Sequence, residues 1–258
     1  MNYLSICAIL KDENIYLPEW IAYHRAVGVE HFYLYDNESS VAVASTLASE
    51  VAARRATVTP FYGRARQLPA YLDCSLRRAH ESRWIAFIDV DEFIVPKRSD
   101  DLRSILEGYE QFAALGINWQ TFGSNGHLSR PAGLQIEAFT RRAARFWGPN
   151  AHIKSIVQPG KVASSESPHH FFYRESHCVN ETRGRIEGPF NRPILFEAAQ
   201  INHYLIRSVQ ESRDKAARGS ADGGKKPQDV LDSWDRECNE EEDRDILRFA
   251  EATKKLIL

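Results

Sequence analysis

Trp84-Ile85-Ala86-Phe87-Ile88-Asp89-Val90-Asp91-Glu92 decides how this chain is read. Five apolar residues end abruptly in a run of acidic ones. The apolar part suits a strand covered on both faces. In an extended segment, side chains two apart point the same way, so Asp89 and Asp91 are expected to face one side and Val90 the other. Two hard carboxylates at a strand tip suit Mg²⁺ or Mn²⁺, with phosphate oxygens and water completing the shell. A D-x-D triplet alone is a common solvated turn. What sets this one apart is the apolar run before it and Phe93-Ile94-Val95-Pro96 after it.

Upstream, strand and helix patterns alternate. Residues 3–10 form a near-continuous apolar run, and a helix is expected from about Pro18, with Trp20, Ile21, Tyr23, His24 and Val27 at helical spacing and Gly28 ending it. A strand at 31–35 leads into Asp36-Asn37-Glu38-Ser39-Ser40, a turn and helix-capping cluster. An Ala-rich helix over 41–53, a strand over 56–61 and a helix from Pro69 to about 80 follow. This β-α-β-α order predicts an α/β fold with a mixed, mostly parallel central sheet and right-handed crossovers. Ligands of such sheets sit at the carboxyl ends of the strands, where Lys11-Asp12, Asp36-Asn37 and Asp89-Val90-Asp91 all fall.

Downstream, a strand over 112–121 is followed by Gly123-Ser124-Asn125-Gly126-His127, which is expected to form a turn with accessible backbone, although glycine and asparagine equally favour an ordinary hairpin loop. Shorter strands are expected at 153–158, 169–173 and 194–203. Ser208 and Glu211 match a capping box that opens a helix through 218. Residues 219–227 have a flexible composition, and 240–256 read as a charged amphipathic helix.

The chain has 258 residues, 43% hydrophobic and 26% charged, which is enough for a well-buried core. A net charge of -2 gives no electrostatic reason to expect nucleic acid as a partner. Four widely spaced cysteines without a C-x-x-C pair fit a reduced, cytoplasmic setting and imply no zinc site. The first ten residues lack a basic n-region and read as a strand, not a signal peptide. No apolar stretch approaches the ~20 residues needed to span a bilayer. Nine histidines with no H-E-x-x-H spacing argue against a zinc hydrolase. A nucleotidyltransferase would carry a glycine-rich loop after the first strand, where this chain has Lys11-Asp12-Glu13-Asn14. A non-catalytic carbohydrate-binding scaffold stays open as an alternative, although both aspartates speak against it.

Lys11-Asp12-Glu13-Asn14, Leu17-Pro18-Glu19-Trp20, Tyr23-His24, Gly28-Val29 and Phe32-Tyr33-Leu34-Tyr35-Asp36-Asn37 resemble the opening of glycosyltransferase family 92. Ile88-Asp89-Val90-Asp91-Glu92-Phe93, the segment from Trp119 to His127, His152-Ile153-Lys154-Ser155-Ile156-Val157 and Asn202-His203-Tyr204 continue the likeness in order. It runs from residue 5 to about 250. The resemblance implies a GT-A fold in one domain over 1–258, with a nucleotide-sugar-binding half at 1–110, an acceptor-binding half at 111–218, and a flexible loop and C-terminal helices at 219–258. It also implies an inverting transfer from a UDP-sugar, often UDP-galactose, to a glycan or glycolipid, as in polysaccharide biosynthesis. A lipid-linked acceptor would bring the protein to the inner membrane surface.

Carried onto this chain, the resemblance makes Asp89 and Asp91 the metal pair and His203 a candidate third ligand. A hydrogen-bonded histidine at a strand end is the equal alternative for His203. Lys11, Asp12 and Asp36 would line the nucleoside pocket, Asp36 being equally suited to a turn and cap. Lys154 and Arg207 would reach the diphosphate, and Gln67 and Asp73 would complete the donor site. Trp119 and Trp147 are core residues or sugar platforms. Inversion needs a base for the acceptor hydroxyl, and His127, Glu181 and Glu92 are the candidates.

Overall fold

The computed structural model describes residues 1–165, 167–218 and 227–257. β1 (Asn2–Leu10), β2 (His31–Asp36), β3 (Ala56–Pro60) and β4 (Ser82–Phe87) are parallel, and are joined by α1 (Leu17–Ala26), α2 (Val43–Thr46), α3 (Ala48–Ala52) and α4 (Gln67–Arg77). Then come β5 (Glu92–Pro96), α5 (Leu102–Leu106), β6 (Ala114–Thr121), α6 (Gln135–Ala138), β7 (Arg141–Arg142) and β8 (Ile153–Val157). β9 (Val162–Ser165) and β10 (Phe171–Tyr173) form a separate ribbon; β11 (Cys178–Val179), β12 (Arg185–Ile186) and β13 (Ala199–His203) return to the main sheet. The C-terminal elements are α7 (Val209–Arg218), α8 (Gln228–Glu237), β14 (Glu241–Glu242) and α9 (Ala250–Leu256).

The ten-stranded sheet has the order β12-β11-β6-β8-β4-β1-β2-β3, with β13 pairing both β6 and β5. β5, β8 and β12 run against the other seven strands, which gives the mixed, mostly parallel sheet that the sequence predicts. Strand alternation sorts the apolar residues onto two faces. Leu4, Ile6 and Ala8 join Trp84, Ala86 and Ile88 in one core, while Cys7 and Ile9 join Ile85 and Phe87 in the other. Residues from both halves of the chain enter each core. All four cysteines are buried and free. No helix among the described residues is long and apolar enough to cross a membrane.

β5 explains why α1 carries Trp20, Tyr23 and His24 together. One edge of β5 pairs with β13, and the other meets α1. The Trp20 indole donates to the Glu92 carbonyl at 2.8 Å and the Tyr23 hydroxyl to the Ile94 carbonyl at 3.1 Å. The His24 Nε2 accepts from the Ile94 amide at 3.3 Å. Side chains thus do the work of a missing strand and blunt an edge that would otherwise present unpaired backbone groups. This clamp fixes β5 directly after the acidic turn.

Several local expectations differ. The Ala-rich helix is broken at Leu47, which is buried in the core beside Val43, so α2 and α3 are separate short turns. The tail helix begins only at Ala250. Before it, β14 pairs with β7, where Arg142 meets Glu241 at 2.6 Å and Asp243 at 3.4 Å, and these cross-strand charges override helical propensity. α8 was not expected, although Pro227, Leu231 and Trp234 carry its signal. The flexible segment expected at 219–227 lies, apart from Pro227, outside the described residues.

Candidate functional site

The acidic run is a turn, not a continuing strand: the Glu92 amide donates to the Asp89 carbonyl at 3.1 Å. The two-residue alternation therefore fails there, because it holds only for extended backbone. Asp89 and Asp91 take separate sets of partners instead of aligning side by side. Asp89 Oδ1 accepts from the Gln67 amide at 2.8 Å and the Tyr71 hydroxyl at 3.3 Å, and Oδ2 from Lys154 at 2.8 Å. Asp91 Oδ2 accepts from Lys215 at 2.5 Å, with His203 Nε2 3.8 Å from the same oxygen.

The two carboxylates nevertheless share one electrostatic site. Both act on the Lys154 and His203 charges. Lys154 enters from β8, which the sheet places next to β4, and its ammonium is fully buried between Asp89 and Glu92, 3.4 Å from the latter. Burial would lower its pKa, but the two carboxylates outweigh burial and raise it. Burial pushes the Glu92 carboxyl up to about 8 against the pull of Lys154, with Asp89 and Asp91 adding to the rise. Burial likewise opposes ionisation of Asp91, yet Lys215 and His203 hold that carboxyl well below its usual range.

His203 ends β13. Burial lowers its pKa despite Asp91, and its Nδ1 has no hydrogen-bond partner among the described residues. A neutral imidazole and an ionised carboxylate facing each other, both largely buried, fit a borderline divalent ion such as Mn²⁺. Asp89 does not complete that set here, since both its oxygens are committed to Gln67, Tyr71 and Lys154. Among the described residues, no three His, Cys, Asp or Glu side chains form a metal cage.

Arg207 supports the turn from behind. Its guanidinium donates to Gln135 at 2.8 Å, to Glu13 at 2.7 Å and to the Val90 carbonyl at 3.4 Å, and lies 3.6 Å from the centre of the Tyr16 ring. Buried Tyr71, not expected there from the sequence, and Trp119, expected as a core residue or sugar platform, also border the site. Trp119 is half-buried against three imidazoles, with ring centroids at 4.2 Å for His203, 4.8 Å for His152 and 5.0 Å for His169. Lys215 was missed because a lysine on a polar helix carries no distinguishing signal. Tyr71 had one: it sits four residues after Gln67, on the same face of α4.

Other expected residues are placed elsewhere or given structural work. Asp36 accepts from the Ser39 amide and from the first amide of α2, each at 3.0 Å, so it is the turn and cap. Asp12, in the left-handed region at φ 56, accepts from the Ser40 amide and hydroxyl at 2.7 Å and ties the two strand-tip loops together. Lys11 is exposed beside it. Asp73 binds the Tyr35 hydroxyl at 2.8 Å and Arg77 at 2.6 Å, away from Asp89. Trp147 packs at right angles on Trp234 of α8.

The three candidate bases do not converge on the site as acceptor-facing groups. Glu92 is completely buried beneath the turn. Glu181 accepts from the Glu197 and Ala198 amides at 3.0 and 2.6 Å, and lines a separate cavity of about 530 Å³ with Arg98, Tyr109 and Arg183. His127 faces the Ala138 carbonyl at 3.2 Å and packs on Phe139. Its glycine-rich turn is closed at its start, Gly123 and Ser124 being buried, and open only at Gly126. Ser124 donates from its amide to Asp235 at 2.7 Å and Asn125 from its amide to Asn239 at 2.8 Å, and a Cβ on Gly123 would lie 2.7 Å from the Cys238 carbonyl. Asp235 at the end of α8 and Asn239 just after it thus take the amide donors of Ser124 and Asn125.

Among solved structures, S. aureus TarS 1–349 in complex with UDP is similar with a TM-score of 0.42 and 10% identity, over 61% of this chain and 47% of that one. A glycosyltransferase family 92 protein of Oryza sativa subsp. japonica is 28% identical over 220 residues, 82% of this chain and 35% of the relative. One from Ricinus communis is 30% identical over 225 residues, 83% of this chain and 37% of the relative. The chain thus spans about a third of the length of these relatives. The family model described as glycosyltransferase family 92 matches residues 3–244, and the chain belongs to that family.

Proposed function

We propose that this chain transfers a hexose, galactose foremost, from a UDP-sugar to a glycan or glycolipid hydroxyl with inversion, using Mn²⁺ or Mg²⁺. The observation that carries this reading is the juxtaposition of the Asp91–His203 pair with the Asp89–Lys154 pair in one turn beyond the parallel strands. Asp91 and His203 are the residues that would hold the cation, which supplies charge stabilisation for a departing diphosphate. Asp89 anchors Lys154, and Gln67 and Tyr71 fix the orientation of Asp89. Lys154, fully buried behind Asp89, does not reach the diphosphate by contact as the sequence suggested, and would act on it only through its fixed charge. Arg207 keeps the Val90 carbonyl, and with it the turn, in place. Half-buried Trp119 offers a ring edge to the sugar.

The test is UDP release from a panel of UDP-sugars in the presence of Mn²⁺, with and without glycan acceptors. Asp91→Asn is expected to lower kcat/KM by on the order of 10³-fold, since it removes a charged ligand needed in the transition state. Circular dichroism should show an unchanged fold. Turnover within about threefold of the unmodified chain would rule out this assignment of Asp91.

A further inference from the structure

The two lysines of the site are held in opposite ways. Lys154 lies in the middle of the sheet, fully buried, with two carboxylates fixing it at 2.8 and 3.4 Å. Lys215 reaches Asp91 from α7, and its side chain is 37% exposed. α7 is secured at its beginning: the Ser208 amide donates to the Glu211 carboxylate at 3.2 Å and the Glu211 amide to the Ser208 hydroxyl at 3.4 Å, closing a capping box, and the Val209 and Gln210 amides donate to the His127 and Leu128 carbonyls at 3.0 Å. Lys215 sits more than a turn beyond that anchor, at the end of a four-carbon stem.

Asp91 cannot stand alone. Its side chain is only 10% exposed, and an uncompensated buried carboxylate costs several kcal/mol. Lys215 supplies the compensation, on the same oxygen that faces His203 Nε2 at 3.8 Å. That oxygen cannot serve an ammonium and a divalent cation at once, because two positive charges within a few ångströms in a partly desolvated site repel strongly. Whichever cation holds Asp91 excludes the other. A displaced ammonium on a flexible, exposed stem then finds the nearest concentrated negative charge, which beside a bound cation is the diphosphate of the donor.

We propose that Lys215 is an exchangeable counter-ion: it competes with the divalent cation for Asp91 and, once displaced, pairs with the donor diphosphate. This rests on the metal-dependent reading above. It assigns to one residue two effects of opposite sign, which distinguishes it from a lysine that merely stabilises the fold.

Lys215→Met separates the two effects. Mn²⁺ binding to the chain without nucleotide, followed by the electron paramagnetic resonance of the free ion, is expected to tighten about tenfold, the equivalent of about 1.4 kcal/mol, because the competitor is gone. UDP binding at saturating Mn²⁺, measured by calorimetry, is expected to weaken about tenfold, because the diphosphate loses a cation. A misfolded variant would lose both affinities, so the gain in Mn²⁺ binding is the diagnostic half. Mn²⁺ affinity equal to or weaker than that of the unmodified chain overturns the exchange, and unchanged UDP affinity overturns the diphosphate role. If the unmodified chain binds no Mn²⁺ even with UDP present, the metal-dependent reading itself falls, and that outcome is visible before any variant is made.

Discussion

Lys154 is the residue on which the site's charges balance. Glu92 beside it has no exposure, and one of its oxygens, Oε1, lacks a hydrogen-bond partner among the described residues. Removing the ammonium leaves that carboxyl and Asp89 facing each other without compensation, so Lys154→Met is expected to destabilise the fold by about 3–5 kcal/mol. Adding Glu92→Gln should recover at least about 1 kcal/mol at about pH 9, where the Glu92 carboxyl, held at about 8 beside Lys154, must otherwise ionise unpaired or take up a proton. Urea unfolding of the single and double variants measures this, and equal losses in the two would refute the coupling. The sequence exposes Lys154 as a lysine inside Ile153-Lys154-Ser155-Ile156, and Asp91 and Gln67 are equally readable there. Asp36 is readable as an acidic residue at a strand tip and Asp73 as one near a helix start, but not as partners of the Val43 amide and the Tyr35 hydroxyl. A carboxylate's partner lies across space, and pattern along the chain does not specify it.

Elements differ in how much of their context they carry. The capping box of α7 is local: Ser208 and Glu211 are three residues apart, and the structure forms both of its bonds. Ser208→Ala should cost about 1 kcal/mol of helix stability. The loss belongs to α7 and not to the sheet, since apart from its first turn α7 packs chiefly on α8. Hydrogen exchange of the α7 amides should therefore quicken about fivefold while β1 and β4 stay protected; uniform acceleration across the sheet would contradict this partition. Tertiary choices were less legible. The acidic run turns where alternation would extend it, because Trp20, Tyr23 and His24 seize the following strand. The glycine-rich turn is closed by Asp235 and Asn239, which lie over a hundred residues further on. The tail pairs as β14 because Arg142 lies opposite its acidic residues.

At the scale of the molecule, the strands were legible but their neighbours were not: β8 slips between β4 and β6, and no periodicity records that insertion. The helix α1 that locks this arrangement also buries two groups that make stability depend on pH with opposite sign. His24 has no exposure, donates from Nδ1 to the Trp20 carbonyl at 2.9 Å and accepts at Nε2 from the Ile94 amide. Protonation would turn that acceptor into a donor facing another donor. Burial accordingly lowers its pKa from 6.5 to about 3. The folded state binds fewer protons than the unfolded one in this window, so the contribution of His24 is complete above about pH 6.5 and is lost as pH falls, at about 1.4 kcal/mol per pH unit. His169, pushed down to about 2 by burial and Lys154, acts in the same direction. Glu19 opposes them. Burial raises its carboxyl from 4.5 to about 6, against the Ile136 and Gln135 amides that donate to it. Its contribution is complete below about pH 4.5 and is lost as pH rises through 6. Glu92, pushed up to about 8, acts with Glu19, while His31 and His203, also lowered by burial, act with His24 and His169, so each substitution is read as a change in the unmodified chain's slope of stability against rising pH. His24→Gln, which keeps a donor and an acceptor in place but cannot titrate, should lower that slope by about 1.4 kcal/mol per pH unit between about pH 6 and 4.5. Glu19→Gln should raise it by a similar amount. Urea midpoints at half-unit steps of pH measure both slopes, and parallel curves for the three chains would show that α1 carries no such linkage.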